Sequence, residues 1–182
     1  GAKIIPNRGA WLEFETDTNG VIWVKIDRKR KVAATAVLRA FGVSDDDSIR
    51  ALFTKEDIHP TIRFIDATIA KDASKNSDEG YIEIYKRVRP GDLATADNAR
   101  SLIEAMFFNF DRYDLAPVGR YKFNQRFGLQ ADGELCAKEE NRILTKEDII
   151  NIMKELMRLN ITQAREDDID HLGSRRVRYV GE

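Results

Sequence analysis

Over the first thirty residues apolar and polar positions alternate with the two-residue period of a β-strand. Leu12 and Phe14 fall on one face, while Trp11, Glu13 and Glu15 fall on the other. Lys3-Ile4-Ile5-Pro6 reads as a short extended piece before a turn at Asn7-Arg8-Gly9. Asp17-Thr18-Asn19-Gly20 supplies hairpin chemistry, since Asn-Gly accepts positive φ. Val21 to Ile26, rich in β-branched and aromatic residues, returns as the partner strand.

After Lys31 the period lengthens. Thr35, Ala36, Val37, Leu38, Ala40 and Phe41 predict a short apolar helix stopped by Gly42. Ser44 is the expected cap of a second helix carrying Ile49, Leu52 and Phe53, with Asp45, Asp46 and Asp47 at its positive end. Residues 54–79 hold a turn at His59-Pro60 and a polar connector from Lys71 to Ser77, without a clear period. Helical spacing resumes at Ile82, Ile84, Tyr85 and Val88 and breaks at Pro90-Gly91. Thr95 caps a helix whose Ala99, Leu102, Ile103, Met106 and Phe107 share a face. Another helix is expected from Val118 to Phe127, and a hairpin or loop around Asp132-Gly133. Thr145 with Asp148 forms a box-like cap on a last helix, with Ile149, Ile152, Met153, Leu156 and Met157 on its apolar face. From Arg165 onward the chain is polar and charged. The fold class expected is α+β: a mostly helical lobe with an N-terminal β-hairpin and a C-terminal strap.

The 182 residues suffice for one sizeable core. The formal net charge is only −1, so any nucleic-acid surface must come from local segregation of the 30 Lys and Arg residues. The single cysteine, Cys136, excludes an internal disulfide framework and fits a reducing cytoplasm. No apolar run approaches the ~20 residues of a membrane span, and none opens the chain as a signal peptide. The closing run Arg178-Tyr179-Val180-Gly181-Glu182 has no terminus signal and suggests a piece of something longer.

Catalytic constellations are scarce. His59 and His171 lack partner spacing for a metal, and no phosphate-binding glycine loop or serine elbow is present. Cys136, set in a polar hairpin region, reads as a structural thiol. Asp167, Asp168 and Asp170 would suit a two-metal nuclease only if carboxylates converged from separate elements; as one acidic run they read as a solvated loop. The basic side offers more. Arg28-Lys29-Arg30-Lys31 ends a strand, and Arg175-Arg176-Val177-Arg178 lies near the end of the chain. Beside an exposed Trp11 these could grip a nucleic-acid strand, Arg on phosphate and Trp under a base. The competing reading makes Trp11 and Trp23 core residues and the basic runs solvated faces, and residue types alone favour it.

Five ordered strings change that balance: RGAWLEFE (Arg8 to Glu15), KIDRKRKV (Lys25 to Val32), YKRVRPGD (Tyr85 to Asp92), RYDLAPVGRYKFN (Arg112 to Asn124) and DDIDHLGSRRVR (Asp167 to Arg178). Together they resemble the lobe region of the bacterial RNA polymerase β subunit over nearly the whole chain, most weakly between Thr54 and Glu79. The resemblance implies a lobe with its hairpin over residues 2–166 and a strap leading toward the protrusion over 167–182. It implies a part of a nucleotidyltransferase that carries no catalytic residue itself, with no cofactor in this piece and the Mg²⁺ of the whole polymerase bound elsewhere.

It further implies a cytoplasmic role at the DNA cleft, holding downstream duplex and the non-template single strand. The partners implied are the β′, α and ω subunits, a sigma factor and transcription regulators, with no membrane. The family's pocket for an unpaired non-template guanine maps onto Trp11, Asp170 and Arg175. There the Asp carboxylate would accept from guanine N1–H and N2–H, Trp11 would stack, and Arg175 would contact base or backbone. Arg28, Arg30 and Lys31 resemble the stretch facing downstream phosphates, and Arg178 belongs to the same basic surface. A further pocket Arg of the family falls near Ala70 and Lys71 here, Ser174 stands where Asn is usual, and Ala33 where Pro is usual. An alternative function is a surface that mainly docks sigma factor, other subunits or regulators.

Overall fold

The computed structural model describes residues 1–168 and 170–174. Four antiparallel strands form a meander in the order β1 (Ala2–Ile4), β2 (Leu12–Thr16), β3 (Ile22–Ile26) and β4 (Val32–Ala33). The register places Phe14 opposite Val24 and Leu12 opposite Ile26, so the whole apolar set turns to one face. Leu12, Phe14, Ile22, Val24 and Val32 are buried there. The hairpin closes as its sequence requires: Gly20 has φ +82°, and Asp17 Oδ1 accepts from the N–H groups of Asn19 and Val21.

Helix α1 (Ala34–Ala40) follows β4 directly and is buried on every side, as an apolar helix should be. Its N-cap, Ala33, makes no side-chain cap bond, and Gly42 follows its C-terminus at φ +109°. Helix α2 (Asp46–Phe53) is capped by Asp45, whose carboxylate accepts from Ser48 N–H; the expected cap, Ser44, instead gives its carbonyl to Arg39. Helix α3 (Phe64–Lys71) lies inside the segment whose period was unreadable, and packs on β3 and α1. Helix α4 (Ser77–Val88) lies against α1, and α5 (Ala96–Phe107) lies against α4. The first contact is close because position 80 is glycine: a Cβ there would stand 2.8 Å from the Ala36 carbonyl oxygen.

Helix α6 (Ala116–Arg126) begins two residues before its expected start. Residues around Asp132-Gly133 form two short helices, α7 (Gly133–Ala137) and α8 (Glu139–Arg142), where a hairpin or loop was expected. Asp132 is an N-cap, its carboxylate accepting from Glu134 and Leu135 N–H, and it carries Cys136 into a buried position. Helix α9 (Lys146–Thr162) has the full capping box between Thr145 and Asp148 and buries all five expected apolar residues. A 3₁₀ turn, Leu172–Ser174, ends the described chain. No helix among the described residues is long and apolar enough to cross a membrane.

Two buried arginine–aspartate pairs and a third with a half-buried arginine knit the helical body. Arg39, fully buried, meets Asp72 at 3.2 Å and also binds Asp46. Arg120 forks onto Asp148 at 2.7 and 2.8 Å, joining α6 to α9. Arg142 forks onto Asp114 at 2.9 and 2.6 Å. Burial pushes the Asp114 carboxyl upward, but Arg142 and the Ala116 N–H more than offset this, and it titrates below the usual range. The two forked pairs fix geometry, and in all three pairs removing either partner strands the other.

Candidate nucleic-acid interface

The strand alternation that buries Leu12 and Phe14 turns Trp11, Glu13 and Glu15 outward, and the register adds Lys3, Lys25 and Trp23 to the same face. Neither tryptophan is a core residue; both are half-buried on this outer face. Trp11 sits just before β2, and its backbone is held on both sides by Asp27: its N–H donates to Asp27 Oδ1 at 2.7 Å, and its carbonyl accepts from Asp27 N–H at 2.9 Å.

Asp27 and Arg28 are the central residues of a tight turn closed by Lys29 N–H to the Ile26 carbonyl at 3.0 Å. Both have positive φ, 50° and 60°, the primed geometry that matches the twist of antiparallel strands. A left-handed arginine costs about 1–2 kcal/mol, yet it is what aims the guanidinium back at β2. The Arg28 guanidinium carbon lies 5.1 Å from the centre of the Trp11 ring, and Lys3 Nζ lies 5.6 Å from it. Lys31 Nζ likewise lies 4.5 Å over Trp23. The Trp23 indole N–H donates to Asp17 Oδ2 at 3.0 Å, and this bond is the main reason Asp17 titrates below its ordinary range.

The carboxylates between the rings are paired. Lys3 meets Glu13 at 3.1 Å and Lys25 meets Glu15 at 2.8 Å, a bond that raises the Lys25 pKa. The basic run divides by role. Lys29 is spent on the C-terminus of α4, its Nζ 2.6 Å from the Val88 carbonyl, while Arg28, Arg30 and Lys31 remain exposed.

Of the other expected site residues, Asp170 lies on an exposed segment beyond α9, with its N–H donating to Asp168 Oδ1 at 3.0 Å. That segment is tied back by Asp167, which meets Arg126 of α6 at 2.8 Å, and Arg126 also meets Glu155 of α9 at 2.7 Å. Arg175 and Arg178 lie outside the described residues. The structure therefore brings Trp11 together with Arg28, and Trp23 with Lys31, on one sheet face. Sequence reasoning missed Trp23 and Lys3 as members of that face; cross-strand parity of Glu15 and Trp23 is the signal that finds the first. Lys71 is exposed at the end of α3. Among the described residues no three of His, Cys, Asp and Glu are grouped so as to hold a metal ion.

This fold, a meander packed on a helical body with a cation-flanked aromatic face, falls within a known class: the chain belongs to the family described as RNA polymerase Rpb2, domain 2, which matches residues 2–178. Its curated relatives carry the name DNA-directed RNA polymerase subunit beta. That of Dehalococcoides mccartyi (strain CBDB1) is 50% identical over 183 residues, covering 99% of this chain and 14% of the relative. That of Chloroflexus aggregans is 46% identical over 204 residues, covering 100% and 17%. That of Gloeobacter violaceus is 42% identical over 181 residues, covering 100% and 15%. The chain thus spans about one seventh of the relatives it matches.

Proposed function

We propose that this chain is the lobe of the β subunit of a DNA-directed RNA polymerase, a cytoplasmic enzyme, and that it holds downstream duplex and the non-template single strand. Nucleotidyl transfer and its Mg²⁺ belong to other parts of the assembled enzyme, and the partners are DNA, the β′, α and ω subunits and sigma factor. Residues 2–166 form the lobe and 167–182 the strap that carries the base-reading side chains.

The observation that carries the reading is Trp11, held at the start of an inner strand with two cations over its ring. An exposed cation–π contact is worth about 0.5–1 kcal/mol, whereas stacking a base on an aromatic is worth about 1–3 kcal/mol. A base therefore displaces the Arg28 guanidinium, which is left within reach of the phosphate of the same nucleotide, while Lys3 stays on Glu13. Asp170 supplies the carboxylate for a guanine edge, on a segment anchored at Asp167.

The test is Trp11 fluorescence in a Trp23→Phe background, titrated with short single strands that differ in one guanine. Guanine-selective quenching lost in Asp170→Ala supports the pocket. Equal quenching by every strand removes the base-reading part of the proposal, and no quenching of a folded chain removes the whole.

A second reading rests on a groove of about 330 Å³ between the α2–α3 connection and α9, bordered by Ile58, Phe127 and Ile161. Ile58 is 62% exposed there, which suits docking of sigma factor, another subunit or a regulator. Ile58→Asp would then weaken assembly and leave single-strand binding unchanged.

A further inference from the structure

We infer that Trp23 with Lys31 is a second base-stacking station, and that one nucleic-acid single strand crosses the outer face of the sheet from Trp11 to Trp23. The inference rests on the reading of Trp11 above and extends it to a residue with no role in the guanine pocket.

Trp23 repeats the features that single out Trp11. It is half-buried on the same face, a cation lies over its ring, and its orientation is fixed by a nearby aspartate, here through the indole N–H to Asp17. A tryptophan needed only to fill space would turn inward with Ile22 and Val24, its buried neighbours on β3.

The spacing also suits one strand. Trp23 pairs with Glu15, two same-face positions beyond Trp11 on β2. Strand geometry then separates the two stations by about 14 Å, or about four steps of a stacked strand at 3.4 Å each. The path between them crosses Glu13 and Glu15, whose charges are met by Lys3 and Lys25, so the phosphates pass over paired carboxylates rather than free ones. Because every base has a π-face, this second station is tolerant of sequence, unlike a pocket that reads guanine.

The test uses thymidine oligonucleotides of three and eight nucleotides at low salt. In a Trp11→Phe chain, Trp23 fluorescence should be quenched saturably by the octamer. In a chain with native Trp11, Trp23→Leu should weaken octamer binding roughly 5- to 150-fold, the loss of one stacked base, while trimer binding changes by no more than about twofold. Quenching of Trp11 in a Trp23→Phe chain, with Trp23 silent in the Trp11→Phe chain, overturns this inference and leaves the reading of Trp11 standing. Silence of both tryptophans overturns both. A Trp23→Leu chain that loses trimer and octamer binding alike also contradicts it, because the loss then reflects the sheet and not a station. Far-UV circular dichroism and melting of each variant confirm that the folded chain is being compared.

Discussion

Replacing Arg39 by methionine tests whether the helical body is organised by its buried charge. The guanidinium is fully buried and uses all its nitrogens: Nε on Asp72, one terminal nitrogen on the Ser44 and Lys75 carbonyls, the other on Asp46. Asp72, equally buried, accepts further from Thr35 Oγ1 at 2.6 Å and from the Ser74 N–H and hydroxyl at 2.8 and 2.6 Å. Arg39→Met fills the volume but leaves the Asp72 carboxylate without its countercharge. Breaking such a buried pair costs about 3–5 kcal/mol. At about 2.1 cal/mol/K of unfolding entropy per residue, the 182 residues give about 0.4 kcal/mol/K, so Tm should fall by about 10 °C. Calorimetry or circular dichroism reads this directly. Combining the change with Asp72→Asn should cost less than the sum of the two single changes, by about 1–3 kcal/mol, since they share one interaction. A variant melting within about 2 °C of the parent would refute the argument, and the loops at 44–46 and 72–75 would have to be held by other contacts. Below the melting range, single-strand binding should be unchanged, because Arg39 lies in α1 and not on the outer sheet face.

Three further outcomes are expected. Gly80→Ala sets a helix-propensity gain of about 1 kcal/mol against overpacking of about 1–3 kcal/mol at the Ala36 carbonyl; Tm should fall by a few degrees, and a rise would mean that α1 and α4 are free to separate. Glu155 is held down to about 2 from 4.5, first by the Arg158 hydrogen bond and then by Arg126, so its contribution is fully present above pH 4.5 and lost as pH falls toward 2. Allowing for solvent screening it is worth about 1 kcal/mol, and acid unfolding of Arg126→Gln should be shallower across that window; identical acid profiles would count against it. For oligonucleotide binding, three phosphates neutralised by Arg28, Arg30 and Lys31 give a slope of log K against log salt of about −2, read by titration at several salt concentrations; a flat profile would exclude phosphate contact.

The hairpin was legible because three independent signals agreed: alternation at Leu12 and Phe14, β-branched residues from Val21 onward, and glycine where φ is positive. The helices α5 and α9 were legible for a similar reason, since Thr95 and Thr145 are local caps beside a strong apolar period. Helix α3 was hidden because its cap is remote. Arg63 makes no side-chain cap bond, and the carboxylate of Asp57 reaches the Phe64 and Ile65 N–H groups from outside the turn. Helices α7 and α8 are too short for a period to register, and Asp132-Gly133 serves a cap as readily as a turn. Of the candidate site, the outward direction of Trp11 followed from parity alone. Its cations did not, because Arg28 reaches the ring only through a left-handed turn and Lys3 only by the pairing of β1 with β2. Arg175 and Arg178 rest on the family resemblance and lie outside the described residues.

The claim at the centre of this account is that a base stacks on Trp11. It is tested most directly by intermolecular nuclear Overhauser effects between the Trp11 indole protons and a guanine-containing single strand bound to the 182-residue chain. The account predicts cross-peaks from the Trp11 ring to base protons, with ring-current shifts of those protons and displacement of the Arg28 side chain. Shifts confined to the Arg28–Lys31 backbone, with the Trp11 ring protons unmoved, would show a phosphate grip without stacking and contradict it.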